Sequence, residues 1–139
     1  MYRKAVAAIG MAVLLNGCAS GLNSFQKSEL DRYEARGLVV QEKSPGLAAG
    51  LGLLPGGGSF YSREYGFGVV NLLLWPLSII WDPVGGYDAA KVINYQATKA
   101  KLDAERDKDL DTLDSQLQLG QIDMTQYTLE KRKIESKYK

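Results

Sequence analysis

Apolar residues in this 139-residue chain fall into two blocks, with polar stretches between and after them. The first block, residues 5–15, follows a basic start at Arg3 and Lys4. The second, residues 45–83, holds two apolar arms, 46–54 and 66–81, joined by a glycine and aromatic turn that carries Arg63 and Glu64. Beyond residue 83 the pattern changes to charges of both signs with apolar residues every three or four positions, which is the period of an amphipathic helix. The expected fold is mainly α: a signal helix, an apolar helical hairpin, a long charged helix and a short C-terminal helix pair. The corresponding segments are 1–17, a tether with a short helix at 18–44, the hairpin at 45–83, a charged stalk at 84–109 and the helix pair at 110–139.

The tether offers Ser24 or Ser28 as a helix cap and Gly37 as a stop, with Phe25, Leu30 and Tyr33 as its apolar residues. Residues 38–40, Leu-Val-Val, read as a short extended piece. Pro45 suits a first helical position, where a missing N–H costs nothing. In the first arm Gly46 and Gly50 are four apart, and Ala48 and Gly52 repeat the spacing. Such a strip either admits a close backbone neighbour or loosens the helix. Pro55 and Gly56 to Gly58 end it.

The second arm covers about 24 Å as a helix and the first about 15 Å, against a hydrocarbon core of about 30 Å. Pro76 removes a backbone hydrogen bond and predicts a kink. Trp75 and Trp81 are about 9 Å apart along a helix, which suits one water–lipid interface better than two. These lengths favour a re-entrant or interfacial hairpin, or one packed with copies of itself, over a two-pass insertion. A buried helical pair in a small globule is the remaining alternative. It lacks large apolar partners to cover Leu72, Leu73, Leu74, Trp75, Ile79, Ile80 and Trp81.

After Gly85 and Gly86, Asp88 is placed to cap a helix running to about Leu119. Ala90, Ile93, Ala97 and Ala100 share its early face, and Leu110, Leu113 and Leu117 its late one. The charged run 101–109 between them reads as a solvated stalk. Gly120 ends this helix, and Asp123 with Gln126 forms a capping-box start for another. Leu113, Leu117, Ile122, Tyr127 and Ile134 are too few to stabilise such a pair alone, so they require each other or a second copy.

Charge and inventory narrow the function. The formal charge is +1, and removal of the first 17 residues takes two of the 17 basic side chains, leaving the 16 acidic ones in slight excess. Phosphate binding needs a basic surface, so nucleic acid is not an expected partner. There is no histidine and only one cysteine, which excludes disulfide frameworks, Cys/His zinc sites and His-based triads. No catalytic residue, metal ligand or cofactor is assigned, and the chain is not expected to be an enzyme; a carboxylate-only site stays open in principle. A conduit would need a polar stripe, for which only Asn71 and Ser78 are present.

The leader, with its basic start, short apolar run and small residues, has the grammar of a secretory signal. Leu15, Asn16, Gly17 and Cys18 resemble the lipobox of bacterial lipoproteins. That resemblance implies cleavage before Cys18, a diacylglyceryl thioether on it and usually an amide-linked acyl chain such as palmitate. Ala19 and Ser20, without aspartate, imply sorting to the outer membrane of a Gram-negative host, on the periplasmic side, with the inner membrane as the alternative.

Two further resemblances follow. The glycine-rich turn, Phe60-Tyr61, Gly66, Gly68 and Trp81-Asp82 are similar to the two-transmembrane-helix hairpin domain family, which typically places a glycine where this chain has Arg63. The series Leu110, Leu113, Leu117, Gly120, Ile122, Asp123, Tyr127, Lys131, Ile134 resembles the short C-terminal domain (SHOCT), which implies an interaction or oligomerisation role. Together these lead to a non-enzymatic envelope lipoprotein, anchored in membrane lipid through Cys18. Gly46, Gly50, Trp75, Pro76 and Trp81 are its hairpin contacts, and a homo-oligomer or an envelope protein its partner. The alternative is an oligomeric pore or an accessory component of an envelope transport machine.

Overall fold

The computed structural model describes residues 21–138. The leader and the lipobox, Leu15, Asn16, Gly17 and Cys18, lie outside the described residues. Within them the chain is all helical and contains no strand. The helices are α1 (Ser24–Ala35), α2 (Pro45–Leu51), α3 (Gly57–Tyr61), α4 (Tyr65–Leu73), α5 (Asp82–Gln118) and α6 (Met124–Lys137), with a 3-10 turn at Leu77–Ile80. Residues 38–40 are irregular rather than part of a sheet, since three residues with no pairing strand cannot satisfy their backbone in a ladder.

The chain divides into two compact units, one ending at Ala97 and one beginning at Thr98. In the first, α1 is capped by Asn23, not by Ser24 or Ser28. The Asn23 side chain accepts from Gln26 N at 2.9 Å, and Gln26 Oε1 accepts from Asn23 N at 3.0 Å. This reciprocal pair closes two of the free N–H groups that every helix start presents. Leu30 and Tyr33 face inward, whereas Phe25 is exposed. Glu29 is buried between two phenols, accepting from Tyr33 Oη at 2.9 Å and from Tyr95 Oη at 2.6 Å, which ties α1 to α5.

The two-armed hairpin of the sequence is replaced by four shorter pieces. α2 begins as expected at Pro45, capped by Ser44, but ends at Leu51. The glycine turn does more than reverse the chain, because Gly57 and Gly58 begin α3. The second arm is not one kinked helix. It stops at Leu73, passes Trp75–Pro76 and resumes as the 3-10 turn, since proline cannot continue the hydrogen-bond ladder. Arg63 has a φ of 64°, the left-handed region that glycine occupies most readily, and its guanidinium pairs with Glu42 at 2.5 Å.

The long helix starts at Asp82, six residues before the expected cap at Asp88, so Gly85 and Gly86 form its first turns instead of a flexible link. Gly86 is there for proximity. A Cβ on it would lie 3.0 Å from Gly58 Cα and 3.1 Å from the Ala48 carbonyl oxygen. The Gly52 position is tighter still, at 2.5 Å from Pro83 Cα. Thus α2, α3 and the start of α5 cross backbone to backbone. The small residues that allow it are Ala48, Gly52, Gly58 and Gly86, whereas Gly46 and Gly50 face open space.

In the second unit the later part of α5 turns back through Gly120, at a φ of 68°, into α6. Asp123 and Gln126 form the expected capping box, the Asp123 side chain accepting from Gln126 N at 2.8 Å. Leu113 is buried; Leu117, Ile122, Tyr127 and Ile134 are half-buried. The pair is closed at its far end by Asp109, whose Oδ2 accepts from Tyr138 Oη at 2.8 Å and Lys137 Nζ at 3.0 Å. The Tyr138 hydrogen bond first, then that of Lys137, holds the Asp109 carboxyl below its usual range, and Lys137 is pushed up to about 12 by its bonds to Tyr138 and Asp109.

The crossing makes a paired prediction. Gly86→Ala, meeting backbone on two sides, should lower unfolding stability by about 1–3 kcal/mol. Gly85→Ala, one residue away in open space, should raise it by about 0.5–1 kcal/mol through helix propensity. Urea denaturation followed by circular dichroism reads both, and equal effects would remove the crossing as the reason for Gly86.

Candidate functional site

The distinctive construction of the first unit is a polar centre with a large apolar exterior. Its centre is Asp82, 1% exposed, at the first position of α5. Asp82 Oδ2 accepts from Gly58 N at 3.2 Å. Oδ1 accepts from Ser59 N at 3.2 Å, from Ser59 Oγ at 2.5 Å and from Asn71 Nδ2 at 2.7 Å. No local side chain caps α3, whose N-cap is Gly56, so Asp82 supplies that cap from more than twenty residues away. The positive end of a helix favours a negative group at this place.

Asn71 extends the network. Its Nδ2 also donates to Ser59 Oγ at 3.0 Å, and its Oδ1 accepts from Trp81 Nε1 at 2.8 Å. An indole nitrogen only donates, so the Trp81 bond fixes which way the Asn71 amide points. α3, α4 and α5 are therefore joined through one carboxylate, one hydroxyl and one amide. Ser62 Oγ adds a bond to the Gly86 carbonyl at 3.0 Å, beside the glycine crossing.

Two buried polar side-chain atoms of the first unit, Ser78 Oγ and Glu64 Oε1, have no hydrogen-bond partner among the described residues. Burial raises the Glu64 carboxyl above its usual value, and the nearby Asp82 charge raises it further. Among the described residues no three acidic or cysteine side chains group in a way that could hold a metal ion.

The exterior is the reverse. Leu73, Leu77 and Ile80 are 77%, 60% and 76% exposed, and Trp75 and Trp81 remain about half exposed. Leu72, Leu74, Ile79 and Val84 are exposed as well. Asn71 and Ser78, the two residues that a conduit would require at its surface, are instead 2% and 0% exposed. Trp81 and Pro76 lie on the outer face, as does Trp75, while Gly46 and Gly50 are exposed on α2 away from any close neighbour. No helix of the described residues is long and apolar enough to cross a membrane.

Comparison with protein families, with curated proteins and with solved structures finds no match for this chain. The site is read from its own geometry. Sequence reasoning singled out Asn71, Ser78 and Trp81-Asp82 but not their convergence, nor the part played by Ser59. The available signal was spacing: Asn71, Ser78 and Asp82 are seven and four apart, a one-sided polar stripe in an otherwise apolar stretch.

Asp82→Asn keeps the shape of the centre but turns an amide toward donors, and should destabilise the first unit by about 2–4 kcal/mol. The urea midpoint read by tryptophan emission measures it; a change under about 0.5 kcal/mol, typical of a surface position, would deny the carboxylate this role.

Glu64 gives a pH signature. Its folded-state pKa lies above the unfolded value of 4.5, so the folded chain binds the proton more tightly. Its contribution is complete below that unfolded value and is lost as pH rises through the raised folded one. Glu64→Gln should therefore flatten the decline in urea midpoint between mildly acidic and neutral pH; a decline identical to that of the parent chain would contradict the assignment.

Proposed function

We propose that this chain is a non-enzymatic lipoprotein of the bacterial envelope, attached to membrane through an acylated Cys18. The observation that carries the reading is the exposed apolar exterior of residues 69–84, a stretch whose Asn71, Ser78 and Asp82 are buried. Such a surface is seldom left in water by a protein that stays in solution. Cys18 stands three residues before Gly21, which packs against Asp88 of α5, so a lipid on it would hold the folded unit close to a membrane.

Outer-membrane placement on the periplasmic side follows from Ala19 and Ser20 by the lipoprotein resemblance. The C-terminal helix pair is the interaction or oligomerisation module of this proposal. Its half-buried Leu117, Ile122, Tyr127 and Ile134 leave apolar surface for a second copy or an envelope partner, and Met124 and Leu129 are exposed beside them.

Radiolabelled palmitate should enter the full-length protein expressed in a Gram-negative host and should be lost in Cys18→Ala. Fractionation should place the parent chain with the outer membrane. Label that persists in the variant would refute the lipoprotein reading.

A further inference from the structure

We propose that the outward face of residues 69–84 is a docking surface for a lipid bilayer, seated in the plane of one leaflet without crossing it. Its orientation rests on the reading of Cys18 as the lipidated residue, whereas the face itself does not.

The first support is what the face lacks. From residue 65 to residue 81 there is no charged side chain. Asn71 and Ser78 are turned inward, and the Trp81 indole N–H is spent on Asn71. Several backbone N–H groups of the face are satisfied locally: Leu74 N reaches the Val70 carbonyl, Leu77 N that of Leu74, Ile79 N that of Pro76 and Trp81 N that of Ser78. Gly85 N closes on Trp81. Hydrocarbon demands this internal satisfaction, because it offers no hydrogen bonds in return.

The same feature selects a bilayer over a second copy of the chain. Protein interfaces surround their apolar centre with a polar rim and carry roughly one hydrogen bond per 100–200 Å². The span from Leu72 to Ile80 presents large aliphatic side chains and Trp75 and no exposed polar side chain, since its one polar member, Ser78, is buried. Trp75 and Trp81, each half exposed, are of the kind that settles at the headgroup boundary.

The second support is the position of Gly21, three residues after Cys18. A Cβ built on Gly21 would lie 3.0 Å from Asp88 Cβ, so Gly21 packs against the side of α5. Cys18 is three residues upstream, a reach of at most about 11 Å. Val84 is one turn before Asp88 on the same side of α5, and Trp81 lies about 10 Å from Asp88 along the axis. An acyl chain on Cys18 and the face at 69–84 are thus within reach of the same patch of membrane.

The third is depth. α4 spans only Tyr65–Leu73, and the 3-10 turn Leu77–Ile80 is separate from it. Neither crosses a core of about 30 Å. Short apolar elements with exposed aliphatic residues instead enter about 5–10 Å into the headgroup and acyl boundary.

The chain's only tryptophans, Trp75 and Trp81, are both on this face, so intrinsic fluorescence reports it directly. The full mature protein is purified from envelopes and reconstituted in phosphatidylethanolamine–phosphatidylglycerol vesicles. The lipid carries bromine either near the headgroup or near the acyl methyl end. In-plane seating predicts roughly two-fold or greater quenching by the shallow bromolipid and less by the deep one. No quenching by either overturns the proposal, as does stronger quenching by the deep lipid, which would indicate crossing. Blue-shifted but unquenched emission with crosslinked dimers assigns the face to a second copy and also overturns it.

Leu73→Asp with Ile80→Asp, at positions already exposed, should reduce the shallow quenching while leaving the thermal melt unchanged. Unreduced quenching would count against the face; if the variant does not fold, the two bromolipids on the parent chain decide. Mass spectrometry of the same samples separates this proposal from the lipoprotein reading. Lipidated protein with unquenched tryptophans keeps Cys18 and overturns the docking surface, and unlipidated protein with shallow quenching does the opposite.

Discussion

A buried carboxylate is tolerated only when its acceptor capacity is filled, and Asp82 meets that condition with four donors from two other helices, α3 and α4. The first unit depends on this. α3 is too short to hold itself, with only five residues and a glycine at its N-cap. Asp82 provides the missing cap, and by doing so fixes the start of α5 against α3. The glycine crossing then follows, because Gly58 donates its N–H to Asp82 while its Cα lies under Gly86. Removing the carboxylate would free both the short helix and the contact that defines the crossing.

Gathering polarity at the centre has a consequence at the surface. In a soluble domain of this size the large aliphatic residues fill the interior. Here the crossing of α2, α3 and α5 is filled by Ala48, Ser59, Asp82 and the backbone of Gly52, Gly58 and Gly86, while Leu22, Leu30 and Tyr33 are buried elsewhere in the same unit. Leu72 to Leu74, Leu77 and Ile80 are left exposed.

The second unit obeys more ordinary rules. Mixed charges along α5 pair locally, as Arg106 does with Asp103 at 3.0 Å and Asp107 at 2.9 Å, on exposed surface where such pairs contribute little. Its definition comes from punctuation instead: Gly120 reverses the chain, Asp123 starts α6 and Asp109 gathers the terminal Lys137 and Tyr138. Few of its apolar residues are fully covered, Leu102 and Leu113 among them.

The residues of the chain by themselves determined the helical class, the start of α2 at Pro45, a disturbance of the second arm at Pro76 and the punctuation of the C-terminal pair. Each of these is set by neighbours within about four positions, through capping, proline sterics or left-handed glycine. They also supplied the two tryptophans and the uncharged stretch. Tertiary structure decided what local rules could not: that Gly57 begins a helix, that α5 starts at Asp82 and that Asn71 and Ser78 point inward. It also placed the close approach at Gly52, Gly58 and Gly86 rather than at Gly46 and Gly50. The physical reason is the same in each case. One buried carboxylate needs donors that only distant segments can bring, and the segments take their shape from reaching it.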